Sequence, residues 1–260
     1  MSKEKRIGKC RLCQEIKELS FEHVPPKGAF NDTRVKMVSV ETMLKTGTFY
    51  GPELKNQYGK IIQQGRGDYY LCSDCNSKTG QWYASQYIGF VRALASVLAK
   101  VDLNNTERIK IGFEEANPVA LFNQALTMFC DINEGLAADD SIKEYLLDKE
   151  SKEFNADKYK IFMYIHKGAA YRQNGFIVVG NLNGMMITLS EISAFPIGLV
   201  LYENIPNGYN PKGVDISNFA RCDYNNNYKI EMDIPILESN MVFSGDYRTE
   251  AEIEEQIKQW

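Results

Sequence analysis

The sequence contains no long apolar run. Its longest, at residues 197–202, is far shorter than the roughly 20 apolar residues that a membrane-spanning helix requires. The first nine residues are largely charged and carry no apolar stretch, which is not the pattern of a signal peptide. We therefore expect a soluble, cytoplasmic protein that has no membrane partner.

Several familiar signatures are also missing. The chain has no internal repeat, and residues 81–260 show no nucleotide-binding loop, no second metal motif and no Ser/His/Asp set. The absence of a repeat argues against a repeat architecture. Residues 81–260 contain no recognised catalytic or binding motif. The composition, with 44% hydrophobic and 25% charged residues, is ordinary for a globular protein. A chain of 260 residues can bury a substantial core in one large domain or two small ones.

Cysteine is the informative residue type. A cytoplasmic chain with six cysteines favours metal ligands or free thiols over a disulfide framework. Four of the six form two C-x-x-C pairs, which can supply four thiolates to one tetrahedral zinc ion. Such a zinc would be structural, because four sulfur ligands leave no open position for water. The predicted zinc ligands are Cys10, Cys13, Cys72 and Cys75.

The net charge of −4 is unevenly distributed. Residues 1–80 carry 14 Lys and Arg against 9 Asp and Glu, whereas residues 81–260 carry 16 against 25. A basic first module on an acidic body suits a protein that contacts phosphate groups. Chance clustering of surface lysines explains the same numbers, so the charge supports nucleic-acid binding without establishing it.

Hydrophobic periodicity divides the chain into three parts and predicts an α+β fold. Residues 1–100 would form a zinc-stapled module that ends in a helix from about Asn76 to Lys100. Residues 101–154 would form a helical linker region, with helices at 119–132 and 140–147, the first capped by Asn117 with Pro118 in its first turn. Residues 155–260 would form a β-rich unit closed by a helix that ends at Trp260 and whose capping box is Thr249 and Glu252. The strands are expected near residues 159–166, 175–180, 185–189, 197–202 and 228–233.

Three short motifs carry the chemistry. They are C-R-L-C at residues 10–13, E-H-V-P-P-K at 22–27 and L-C-S-D-C-N-S-K-T-G at 71–80. This arrangement resembles the zinc-bearing branch of the HNH endonucleases, also called ββα-metal or His-Me finger nucleases. The resemblance covers residues 10–80, less than a third of the chain. It implies an N-terminal ββα-metal finger whose zinc is held by four cysteines.

The resemblance also implies catalytic roles. His23 would be the general base, and Glu22 and Asn76 would bind a catalytic Mg²⁺ or Mn²⁺ ion. The chemistry is consistent, because phosphodiester hydrolysis needs a deprotonated water and a divalent cation, and imidazole titrates near neutrality. The chain has only one other histidine, His166, which lies in a β-like segment and is interpreted as structural.

The sequence departs from the family pattern in two ways, and a third feature limits the geometry of the site. Roughly 48 residues separate His23 from Cys72, so an insertion is expected in the hairpin. The middle asparagine that steadies the base loop is missing before the second pair, where Asp68 is the candidate substitute. Glu22 and His23 are adjacent, so both can serve one metal site only on a bulged or irregular segment. The predicted substrate contacts are Arg66, Lys27 and Lys78.

The sequence thus predicts a metal-dependent HNH endonuclease that hydrolyses phosphodiester bonds, with DNA favoured over RNA as the substrate. The sequence does not distinguish this enzyme from an RNA-cleaving HNH enzyme of the same design. Another alternative is a zinc-stabilised module that binds nucleic acid or protein without catalysis, which the missing middle asparagine favours. The β-rich unit has no assigned role, although control by a regulatory partner or by homo-oligomerisation would account for its size.

Overall fold

The computed structural model describes residues 5–168, 171–180 and 184–258, and the predicted α+β class is confirmed. Its strands are β1 (Ile7–Lys9), β2 (Ile16–His23), β3 (Val35–Met37), β4 (Lys60–Ile62), β5 (Gly67–Cys72), β6 (Arg108–Ala116), β7 (Tyr159–Lys167), β8 (Gln173–Gly180), β9 (Met186–Ala194), β10 (Ile197–Glu203), β11 (Val214–Asp215) and β12 (Tyr228–Glu238). Its α-helices are α1 (Val40–Thr46), α2 (Ser73–Thr79), α3 (Ser85–Leu98), α4 (Pro118–Ile132), α5 (Glu134–Ala137), α6 (Asp140–Leu147) and α7 (Glu250–Lys258).

The largest sheet has seven strands. Its order is β6-β12-β7-β10-β9-β8, and the short β11 also pairs with β7. All of these pairs are antiparallel except β12 with β7, which is parallel. Strand β7 is buried on both faces of the sheet, and its side chains alternate between two hydrophobic clusters. Met163 and Ile165 enter the main core, whereas Phe162 and Tyr164 pack into a second cluster on the other face.

Helices α3, α4 and α6 contribute buried side chains to the main core on one face of this sheet. Helix α4 is buried along almost its whole length. It begins as the sequence predicted: the Asn117 side chain accepts a hydrogen bond from the Ala120 N–H at 3.0 Å, and Pro118 occupies the first turn. The capping box of α7 is also confirmed, since Thr249 N donates to Glu252 Oε2 at 2.7 Å and Glu252 N donates to Thr249 Oγ1 at 3.2 Å. Trp260, the expected end of this helix, lies outside the described residues.

The N-terminal part contains a separate three-stranded sheet with the order β1-β2-β5. Helix α2 follows β5 directly, and a π-helical turn at Gly80–Ala84 joins it to α3, which confirms the predicted helix near residues 76–100. The insertion between β2 and β5 has structure of its own, namely α1, the β3–β4 pair and a 3-10 turn at Pro52–Asn56. One cluster of buried hydrophobic side chains runs from Leu12 in this part to Ile234 in β12.

Strand β6 is the main departure from the expected secondary structure, because it lies in residues 101–154, which were expected to be helical. It pairs with β12 and forms one edge of the large sheet. The period-2 pattern is visible in retrospect: Ile109 and Ile111 are buried, whereas Arg108 and Lys110 are exposed. No helix within the described residues is long and apolar enough to span a membrane.

Candidate metal centre and catalytic site

The four paired cysteines converge. Their sulfur atoms all lie within 4.8 Å of one another, and the Sγ atoms of Cys13 and Cys72 are 3.9 Å apart. A tetrahedral zinc with Zn–S bonds of about 2.3 Å would hold its sulfurs about 3.8 Å apart. Cys10, Cys72 and Cys75 are buried, and Cys13 is partly buried. The donors therefore fit a structural metal site, and this cluster could bind an ion such as zinc.

The ionisation of the thiols shows why a cation suits this cluster. The Cys75 thiol donates a hydrogen bond to Cys10, which lowers the pKa of Cys10 to about 4 and raises the pKa of Cys75 far above its ordinary value. One thiolate among four close sulfurs thus opposes the formation of the next. A divalent cation between them would relieve this repulsion and stabilise all four as thiolates.

The adjacent candidate residues Glu22 and His23 lie on opposite faces of strand β2. The rings of Phe21 and His23 are 5.0 Å apart, so these two residues share a face, and Glu22 by alternation points to the other. The β2–β5 pair does contain a bulge, in which Tyr70 is the extra residue, but the register is regular at residues 21–23. The irregularity that we expected at Glu22 and His23 therefore lies elsewhere, at Tyr70 of β5, opposite Ser20 and Phe21 of β2.

Glu22 and Asn76 are brought together by α2, which packs on the Glu22 face of the strand. The Asn76 amide donates to Ser20 Oγ at 3.0 Å and interacts with the Glu22 carboxyl. Burial raises the pKa of Glu22 to about 7, and the hydrogen bond with Asn76 opposes that increase only in part. The Asn76 amide nitrogen therefore faces the strand and donates towards the half-buried Glu22 carboxyl.

His23 lies at the end of β2 with its ring orientation fixed. Its Nε2 lies 2.9 Å from the backbone carbonyl of Gln64. Because a carbonyl can only accept, Nε2 must carry a hydrogen, and in the neutral ring Nδ1 then keeps the basic lone pair. The other histidine, His166, is 3% exposed and stacks on Tyr171, with ring centroids 5.2 Å apart.

Sequence reasoning missed a residue that holds the His23 loop. The buried Asn31 side chain donates to the carbonyls of Pro25 at 2.6 Å and Arg66 at 2.8 Å, and accepts from Arg66 N at 2.7 Å. It thus bridges the chain after His23 and the chain after Gln64. Asp68, the expected substitute for the middle asparagine, accepts instead from the Tyr69 N–H at 2.9 Å. Asn31 comes from the insertion, where no spacing rule pointed to it.

Arg66 is not a surface contact, contrary to our expectation. It is 7% exposed, and its Nη1 donates to the Ser193 carbonyl at 3.1 Å. Its guanidinium lies 5.3 Å from the centre of the Tyr171 ring, and burial lowers its pKa to about 10. These contacts attach the loop before β5 to the large sheet, so the buried guanidinium is not available to a phosphate.

The other two predicted substrate contacts are exposed. Lys27 lies in the turn that follows residues 22–26. Lys78 is on α2, two residues after Asn76, and its Nζ lies 5.8 Å from the centre of the Trp82 ring. Both ammonium groups are therefore accessible on the two segments that carry Glu22, His23 and Asn76.

The four cysteines are the only group of three or more Cys, His, Asp or Glu ligand atoms, among the residues that the structure describes, close enough to hold a metal ion. Glu22 and Asn76 form a pair of two candidate ligands, which is fewer than the four of the cysteine cluster. No family model matches the chain, and no curated protein and no solved structure was found to be similar to it. The functional argument therefore depends on the residues and their geometry.

Proposed function

We propose that residues 1–100 form an HNH-type ββα-metal finger that hydrolyses phosphodiester bonds in DNA. The β2–β5 hairpin and α2 would be its ββα unit, and the four cysteines would hold a structural zinc at its base. The observation that carries the proposal is the arrangement of His23: a backbone carbonyl holds Nε2, and Nδ1 is the ring nitrogen that would act as the base.

Each predicted residue except the buried Arg66 has a role in the proposed hydrolysis. His23 accepts the proton of the attacking water on Nδ1, and its hydrogen bond to Gln64 keeps the ring in the required tautomer. Glu22 and Asn76 would hold a Mg²⁺ or Mn²⁺ ion through the Glu22 carboxylate and, after rotation of the Asn76 amide, its oxygen, which are donors that these ions prefer. When bound, such an ion would supply positive charge to the phosphate and the leaving oxygen. The exposed Lys27 and Lys78 would contact backbone phosphates.

The test is cleavage of supercoiled plasmid and of single-stranded DNA in Mg²⁺ or Mn²⁺ by the zinc-loaded full chain. Wild type should cut, and His23→Ala should lose activity by about 100-fold or more, because general-base catalysis contributes about that much. Added imidazole should restore part of the His23→Ala activity. Full cleavage by His23→Ala would remove His23 from the mechanism.

A matched pair of variants tests the carboxyl group. Glu22→Gln should abolish cleavage, whereas Glu18→Gln on the same strand should leave it unchanged, since Glu18 pairs at the surface with Lys5. An RNA substrate of the same sequence in the same assay decides between DNA and RNA.

A second function, a zinc-stabilised binding module without catalysis, is favoured by two observations. Glu22 and His23 lie on opposite faces of β2, and the Asn76 amide turns its nitrogen, not its oxygen, towards Ser20 and Glu22. In that case the chain should bind DNA equally with and without Mg²⁺, and neither wild type nor any variant should cut. Binding that requires Mg²⁺ or Mn²⁺ would argue against this module.

A further inference from the structure

The buried guanidinium of Arg66 has no opposite charge beside it. The residue is 7% exposed, and it forms no ion pair with a carboxylate of the described residues. Burial lowers its pKa only to about 10, so the group keeps its positive charge at neutral pH. A buried charge without a partner is costly, because neither water nor a counter-ion solvates it fully. An anion bound at this position would therefore stabilise the guanidinium.

Only part of the guanidinium is used by the protein. Nη1 donates to the carbonyls of Ser193 at 3.1 Å and Arg172 at 3.4 Å. Nε and Nη2 have no hydrogen-bond partner among the described residues, and neither is fully buried, so both remain in contact with solvent. The N–H groups of these two nitrogens are parallel in a planar guanidinium. They form the fork that binds both oxygens of a carboxylate.

Arg66 lines a small cavity between the insertion and the large sheet. The cavity has a volume of about 210 Å³, and Arg66 is the one charged residue among the described residues that line it. Phe30, Tyr171 and Phe195 place aromatic rings on its wall, and the rings of Phe30 and Phe195 are 5.8 Å apart. The volume is below the roughly 300–1,000 Å³ of most ligand sites, so the cavity admits one small ring and not a DNA strand.

We propose that this cavity is a binding site for a small aromatic carboxylate. The carboxylate accepts from Nε and Nη2 of Arg66, and the ring of the ligand packs against the aromatic wall. The backbone of Arg66 also accepts a hydrogen bond from Val24 N at 3.1 Å, so the ligand binds where the finger is attached to the large sheet. The site lies outside the proposed nuclease centre, and ligand binding tests it whether or not the chain cuts DNA.

The probe is benzoate, titrated into the zinc-loaded full chain and followed by saturation-transfer NMR, with melting curves in parallel. Benzoate should bind saturably and raise the melting temperature. Phenol and benzylammonium should bind at least 10-fold more weakly, because neither offers two acceptor oxygens to the fork. Arg66→Gln should weaken benzoate binding at least 10-fold. Arg34→Gln removes the same charge from an exposed position of the insertion that does not line the cavity, and should bind like wild type.

A second variant leaves the guanidinium intact, because Arg66→Gln also removes contacts that hold the loop. Ala194 lines the cavity, so Ala194→Leu should fill it and weaken benzoate binding at least 10-fold. Wild-type affinity in both variants would place benzoate elsewhere and overturn the proposal. Absence of saturable binding to wild type would also reject it, as would phenol or inorganic phosphate that binds as tightly as benzoate. If neither variant folds, the selectivity of wild type for benzoate over phenol decides between these outcomes.

Discussion

The side chain of Asn31 hydrogen-bonds to both the backbone N–H and the backbone carbonyl of Arg66. Asn31 Oδ1 accepts from Arg66 N at 2.7 Å, and Asn31 Nδ2 donates to Arg66 O at 2.8 Å. The same nitrogen donates to the carbonyl of Pro25. One buried side chain thereby joins the segment after His23 to the segment that supplies the carbonyl of Gln64. The orientation of the proposed base depends on this connection, which lies in neither C-x-x-C pair.

Replacing Asn31 with alanine should therefore destabilise the fold and disturb the His23 loop. The substitution leaves the Arg66 N–H and the Pro25 carbonyl buried without partners, which should lower the free energy of unfolding by about 2–4 kcal/mol. Urea denaturation measures this change, and cleavage should fall with it. Asn105→Ala is the control, because Asn105 is exposed and bonds only to Asp102 locally, so a change within about 0.5 kcal/mol is expected. Equal stability of the two variants would contradict the bridging role.

Gly65 should be as sensitive as the asparagine it touches. It has φ +94°, and a Cβ there would lie 2.0 Å from the backbone oxygen of Asn31. Gly65→Ala should cost about 3 kcal/mol or more, since left-handed strain and a backbone collision add. Gly47→Ala separates the two causes: Gly47 has φ +69° with open space around it, so it should lose only about 1 kcal/mol. Urea denaturation of both variants makes the comparison, and similar losses would show that the contact with Asn31 is unimportant.

Metal content gives a direct check on the cysteine cluster. Wild-type protein purified without chelator should contain one zinc ion per chain by plasma mass spectrometry. Cys75→Ser should lose most of this zinc and the stability that depends on it, because binding of a structural zinc contributes directly to folding. Cys222→Ala should keep its zinc, since Cys222 lies outside the four-sulfur cluster. Full zinc occupancy in Cys75→Ser would show that the cluster does not hold the ion.

Asp139 should make stability depend on acid pH. Burial acts to raise its pKa, but hydrogen bonds from Ser141, Lys158 and Tyr159 outweigh burial and lower the pKa to about 2. A lowered carboxyl pKa stabilises the fold above the unfolded value of 3.8, and this contribution is lost as the pH falls towards 2. Asp139→Asn should therefore cost about 2 kcal/mol at pH 7 and progressively less below pH 4.

The control for this pH dependence is Asp140→Asn, the adjacent and largely exposed carboxyl. Its difference from wild type should be small and constant from pH 7 to pH 3. A pH-independent loss in Asp139→Asn would mean that the ionised form of Asp139 carries no special stability.

Local patterns in the sequence were enough to predict much of this protein. The helix near residues 76–100, the start of α4 at Asn117 and Pro118, and the Thr249–Glu252 capping box are all determined by neighbours along the chain. The spacing within each C-x-x-C pair likewise predicted four converging sulfurs, and the structure confirms the cluster. The expectation that Glu22 and Asn76 lie together came instead from the resemblance of the three motifs to the HNH pattern, and the Asn76 amide does interact with the Glu22 carboxyl.

The remaining features depend on contacts between residues far apart in sequence. Strand β6 escaped prediction because a short alternating segment becomes a strand only when β12 is available as a partner. Arg66 was predicted to contact phosphate, but its guanidinium is enclosed by the Ser193 carbonyl and the Tyr171 ring, which are far from it in sequence.

The order of residues thus supplied the chemical groups of the candidate site, namely two thiol pairs, an imidazole and a carboxyl, whereas their surroundings set their ionisation, since burial raises the pKa of Glu22 to about 7. Tertiary structure alone decided which groups meet. It set Asn31 behind the His23 loop and enclosed the Arg66 guanidinium between the Ser193 carbonyl and the Tyr171 ring. Burial and long-range contacts are properties of the packed chain, and no spacing within the sequence encodes them.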